Sequence, residues 1–156
     1  MARIFAANWK LFKNPAQARL FFSEFNLLAQ DFIAGGSKDQ IVFFPSAICL
    51  EAVSQSLSVC LSASQNNSSA SIQFGAQNVY CELQGAFTGE NSAQVVKDLG
   101  AGYVLIGHSE RRSLFAETDA LLAQKVKTVQ ALGLTAMLCI GESLEQRKNN
   151  ETLKVL

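Results

Sequence analysis

The sequence has no net charge, no long apolar run and only one histidine. Thirteen Lys and Arg balance thirteen Asp and Glu, so there is no basic surface of the kind that draws a protein to nucleic acid or to an anionic membrane. No stretch reaches the roughly 18 consecutive apolar residues that a membrane-spanning helix needs. The first residues, Met1 to Phe5, enter an apolar run at once and carry no basic leader. Neither nucleic acid nor membrane is expected as a partner, and the expected setting is cytoplasmic. No Gly-x-Gly-x-x-Gly follows the first apolar run and no Gly-x-x-x-x-Gly-Lys occurs, which weakens dinucleotide and phosphate-loop readings. The lone His108 excludes a multi-histidine metal cage. Cys49, Cys60, Cys81 and Cys139 lack the two-to-four-residue spacing of a zinc knuckle or a redox dithiol, so they read as reduced small hydrophobes.

What the sequence does contain is a repeated two-part unit. Short, continuous apolar runs at residues 4–7, 41–44, 72–76, 103–106 and 135–140 have the character of parallel strands buried on both faces. Between them lie segments of helical period. Asn14 and Pro15 open the first, whose apolar face is Ala18, Phe21, Phe22, Phe25, Leu28, Ala29, Phe32 and Ile33. Leu50, Val53 and Leu57 mark a weaker one. Ala93, Val96 and Leu99 outline a short one, and Thr118 caps another carrying Leu122, Val126 and Val129. Residues 54–71, with eight serines in 18 positions, are expected to be a flexible connection. The class is α/β. Two architectures fit: a doubly wound, flavodoxin-like sheet of about five strands, or part of a (β/α)8 barrel, which typically needs about 250 residues.

In both architectures reactive groups belong beyond the carboxyl ends of the strands. Asn8-Trp9-Lys10 follows the first strand, Gln77-Asn78 the third, His108 to Arg112 the fourth, and Gly141-Glu142 the fifth. Lys10 suits an anionic ligand. His108 precedes a helical turn beginning at Ser109, where backbone N–H groups disfavour a positive imidazole. Arg111 and Arg112 diverge by about 100° on a helix, so each is expected to pair with a separate carboxylate, Glu90 and Glu110 being the candidates.

Five strand-end segments, in order, closely resemble the triosephosphate isomerase family. They are residues 5–10 (FAANWK), 75–78 (GAQN), 85–90 (GAFTGE), 104–112 with its IGHSERR, and 138–142 (LCIGE). The resemblance implies an incomplete (β/α)8 TIM barrel, strands 1–5 with their helices. Residues 1–156 would be the N-terminal part of a single barrel domain, cut near the start of the fifth helix. It implies a metal- and cofactor-free isomerase acting on triose phosphates. Lys10 and His108 would be catalytic, Glu110 would support the lysine, and Asn8 would join Lys10 in binding substrate. Thr88, Glu90 and Arg111 would lie at a homodimer interface, with Glu90 the carboxylate that pairs with Arg111. The family's carboxylate base and lid follow a sixth strand, beyond Leu156, so the chain alone is expected to be inactive. The serine-rich stretch looks longer than the family's and falls on the face opposite the chemistry. A non-catalytic remnant and an independent nucleotide or phosphate binder are the alternatives.

Overall fold

A computed structural model describes residues 3–34, 38–63 and 71–155 of the chain. Five strands form one parallel sheet: β1 (Ile4–Asn8), β2 (Gln40–Phe44), β3 (Ser71–Ala76), β4 (Tyr103–Ile106) and β5 (Thr135–Leu138). Their order in space is their order in the chain, and the sheet curls into a half-barrel. The helices are α1 (Pro15–Ala34), α2 (Leu50–Ala63), α3 (Ala93–Asp98), α4 (Ser109–Leu114), α5 (Asp119–Ala131), α6 (Leu144–Lys148) and α7 (Thr152–Val155).

Two apolar clusters explain the curl. Phe43, Ile72, Phe74, Val104 and Ile106 join buried residues of α1, α2, α3 and α5 in the larger one. The alternate residues Val42, Phe44, Tyr103 and Leu105 form the smaller, with Met137 and Cys139 packed on it and no helical residue among its buried members. Helices therefore cover one face of the sheet, while strand residues meet one another across the concave face, as barrel interiors require. A doubly wound sheet needs helices on both faces and a reversal of strand order. The sequential order excludes it, and with it the flavodoxin-like alternative.

Local chemistry sets the helix starts. Asn14 accepts the Gln17 N–H at 2.9 Å, and Gln17 returns the bond to the Asn14 N–H at 2.9 Å, a reciprocal cap with Pro15 at the first helical position. From α1, Ala18, Phe22 and Ala29 are buried. Phe21, Phe22 and Phe25 pack around Phe43 with ring centroids 5.1–5.5 Å away, and Trp9 lies against Phe21 and Phe22. Leu28 departs from its expected core role. It is exposed together with Leu20 and Leu27, giving α1 a second, uncovered apolar flank. The side chains of Phe32 and Ile33 lie outside the described residues.

The serine-rich stretch is corrected in its first part. Residues 54–63 are the body of α2, not a connection, and residues 64–70 lie outside the description. The serine hydroxyls bond locally instead of breaking the helix. Ser56 donates to the Ala52 carbonyl at 2.7 Å and Ser58 to the Ser54 carbonyl at 2.9 Å, while Ser54 itself reaches the Leu99 carbonyl at 2.6 Å. With those hydroxyls satisfied, Ala52, Val53 and Leu57 carry the buried face.

β3 and β4 approach closely because residue 75 has no side chain. A Cβ there would collide with the Tyr103 carbonyl oxygen and with the Phe44 ring. β5 ends two residues earlier than its apolar run. Cys139 and Ile140 follow outside the strand, with the Cys139 N–H donating to the Ile106 carbonyl at 2.8 Å. After it, Ser143 and Gln146 form a capping box that starts α6. Among the described residues no helix is long and apolar enough to cross a membrane.

Candidate active site

Beyond the carboxyl ends of the strands lies a cleft of about 560 Å³. Asn8, Lys10, Gln77, His108, Glu110 and Arg111 are on its wall. Residues brought together from β1, β3 and β4 thus converge, as strand-end placement demands.

Lys10 sits in the left-handed backbone region, φ 52°, a conformation that costs a non-glycine residue about 1–3 kcal/mol unless its surroundings hold it. Asn8 contributes locally: its Oδ1 accepts the Lys10 N–H at 2.9 Å. The Lys10 ammonium crosses the cleft to Glu110, Nζ to Oε1 2.7 Å. Hydrogen bonding by Lys10 holds the Glu110 carboxyl below its ordinary range, with partial desolvation opposing and the Lys10 charge assisting. Both side chains are about half exposed, so the pair is an orienting contact more than a stabilising one.

His108 caps α4. Its Nδ1 lies 3.2 Å from the Glu110 N–H and 3.4 Å from Glu110 Oε2, and one nitrogen cannot serve both. The Glu110 amide is in the first turn, has no carbonyl partner within the helix and can only donate. Nδ1 therefore accepts, and the ring proton is on Nε2. The ring is about three-quarters buried and borders the cleft, which makes Nε2–H its one polar hydrogen.

The two arginines go to separate carboxylates, but not to those expected. Arg111 donates Nε to Glu117 at 2.7 Å, and Arg112 reaches Asp119 at 2.6 Å while its Nε holds the Gly107 carbonyl at 2.9 Å. Glu90 therefore does not pair with Arg111 within this chain, and Glu110 is committed to Lys10. The reason is local: α4 ends at Leu114, and the turn through Ala116 (φ 52°) carries Glu117 back beneath Arg111, whose carbonyl accepts the Glu117 N–H at 3.2 Å.

Glu117 is also the centre of a buried group that the sequence did not signal. Lys125, 1% exposed, donates to Glu117 Oε1 and to Asn78 Oδ1 at 2.7 Å. Burial alone would raise the Glu117 carboxyl, but the hydrogen bonds and charges of Lys125 and Arg111 outweigh it and leave it below its ordinary value. This network ties the end of β3 to α4 and α5, and so braces the helix that starts at His108.

Glu90 borders the cleft, and Thr88 sits two residues away on the exposed loop 82–90. Phe87 and Leu83 are also exposed there. Among the described residues no group of three or more His, Cys, Asp or Glu is placed to hold a metal ion.

Parallel strands in chain order, helices on the convex side and a polar cleft over the strands' carboxyl ends define a (β/α)-barrel protein. The family model for triosephosphate isomerase matches residues 3–156. The chain belongs to the triosephosphate isomerase family. It is 59% identical over 156 residues to the triosephosphate isomerase of Bdellovibrio bacteriovorus, covering all of this chain and 58% of that protein. It is 44% identical over 151 residues to that of Syntrophotalea carbinolica, 97% of this chain and 54% of that one. The Trichlorobacter lovleyi protein of the same name is 40% identical over 154 residues, 98% of this chain against 55% of its own length. The chain therefore spans a little over half the length of the curated relatives it matches.

Proposed function

We propose that residues 1–156 are the first five β/α units of a single-domain triosephosphate isomerase, which interconverts dihydroxyacetone phosphate and glyceraldehyde 3-phosphate through an enediolate. One observation carries this reading. A lysine held by a carboxylate and a histidine with its proton on the free ring nitrogen share one cleft, Lys10 and Glu110 being 2.7 Å apart. Lys10 supplies the cation for the substrate phosphate and for the negative charge that grows on the oxygens of the enediolate. His108 Nε2–H donates to the substrate carbonyl and moves a proton between the two oxygens, the role that the family resemblance implies for a neutral histidine here. Glu110 positions the lysine. Asn8, whose Oδ1 is taken by the Lys10 N–H, has its amide N–H groups for the substrate.

The reaction also needs a carboxylate to remove the carbon-bound proton. The resemblance assigns that base to a loop after a sixth strand, so the five units alone are not expected to turn over. The full-length enzyme works as a cytoplasmic homodimer in this reading. The loop carrying Thr88 enters the partner, and Glu90 meets the partner's copy of Arg111. The exposed Leu83 and Phe87 on that loop support it. The test is a coupled assay of isomerisation in both directions with the full-length protein. Absence of turnover above the buffer rate in a folded sample overturns the assignment.

A further inference from the structure

The strained backbone of Lys10 has a second support, and it comes from a different strand. Gln77, the first residue after β3, donates from its Nε2 to the Lys10 carbonyl at 2.9 Å and to the Phe44 carbonyl at 2.9 Å. The Phe44 carbonyl also accepts the Trp9 N–H at 3.0 Å. One amide nitrogen thus sits where the ends of β1, β2 and β3 meet.

Backbone carbonyls only accept, so two of them facing one atom require a group with at least two N–H donors there. A primary amide meets that need without bringing a charge beside the Lys10 ammonium. Methionine offers a similar shape with no donor, and glutamate would set a carboxylate against two carbonyl oxygens. The bond from Gln77 bears on the carbonyl side of Lys10, while Asn8 bears on the N–H side. Together they fix both peptide groups that flank a residue whose φ of 52° is otherwise unfavourable. The direction of the side chain follows from that φ, and with it the reach of Nζ to Glu110, 100 residues away.

We propose that Gln77 is a positioning residue for Lys10: by bonding the Lys10 and Phe44 carbonyls from one amide nitrogen it holds Lys10 left-handed and aims its ammonium into the cleft. The proposal rests on the isomerase reading for its kinetic consequence, but not for its structural one. The test is Gln77→Met in the full-length protein, with two readouts. Steady-state kinetics per active site should show KM raised and kcat/KM lowered by about 10²-fold, the scale that a misplacement of roughly 1 Å produces. A crystal structure, or the scalar coupling at the Lys10 amide, should show φ leaving the left-handed region. A fold defect behaves differently: it removes active enzyme and leaves KM where it was, and that result overturns the proposal. So does a variant whose Lys10 keeps its left-handed φ. Should Gln77→Met fail to fold, Gln77→Glu keeps the shape and removes the donors, with the same outcomes expected. If the unsubstituted enzyme shows no isomerisation, the isomerase reading fails, and the Lys10 conformation in the variant still decides the role of Gln77.

Discussion

Lys10 and His108 border the same cleft but are asked for different things, and substitution should separate them. Lys10→Ala removes the cation that Glu110 holds over the cleft. No isomerisation should be detectable in the full-length enzyme, because substrate and transition state lose the same partner. His108→Gln keeps a hydrogen-bond donor and removes the group able to pass a proton. Its kcat should fall about 10²- to 10⁴-fold while KM changes far less. Equal proportional losses in both parameters would assign His108 to binding alone. The place of Lys10 and His108 on the cleft was legible from sequence because both follow closely after apolar strand runs, at the end of the sheet where such clefts form. Gln77 stood in the same kind of place, yet its task was not legible. Its two acceptors are 67 and 33 residues away, and only the folded sheet brings them to one point.

At the scale of elements, the strands, α1, α3 and α5 could be read from period and capping residues, since each signal is local. Two features could not. The serines of α2 resemble a linker by composition, and only their bonds to carbonyls one turn back reconcile them with a helix. The buried Glu117–Lys125 pair has no motif, and its cost or benefit depends on Asn78 and Arg111 from other elements. That pair makes a stability prediction. A carboxyl held below its ordinary value of 4.5 stabilises the fold above that pH and loses the contribution as the pH falls through its folded value. Glu117→Gln should therefore cost about 3–5 kcal/mol near neutral pH, where it leaves the buried Lys125 ammonium with amide acceptors but without its counter-charge. In urea titrations, the gap between variant and unsubstituted protein should narrow as the pH is lowered below 4.5. A gap that stays constant with pH would show that the charge on Glu117 does not matter.

For the whole molecule, what counts is the uncovered apolar surface. Phe5 on β1, Leu20, Leu27 and Leu28 on α1, and Leu138 and Ile140 at the end of β5 are all exposed. β1 and β5 each have one neighbour in the sheet, so each presents a free edge among the described residues. Unpaired edges beside apolar side chains recruit other chains. The 156-residue chain expressed alone should self-associate and lack turnover. A monodisperse monomer by light scattering, or isomerisation well above buffer, would overturn that expectation. Charge balance fits the proposed function, in which one lysine aimed by its backbone serves a small anion without a basic surface.

The strand order has a consequence for how the chain is made. Each strand lies beside the one synthesised just before it, from β1 through β5. During translation at about 5–20 residues per second, every new β/α unit leaves the ribosome to find its docking edge already built. The sheet can lengthen in step with synthesis, while the outer edge of β1, the first strand made, stays open longest among the described strands.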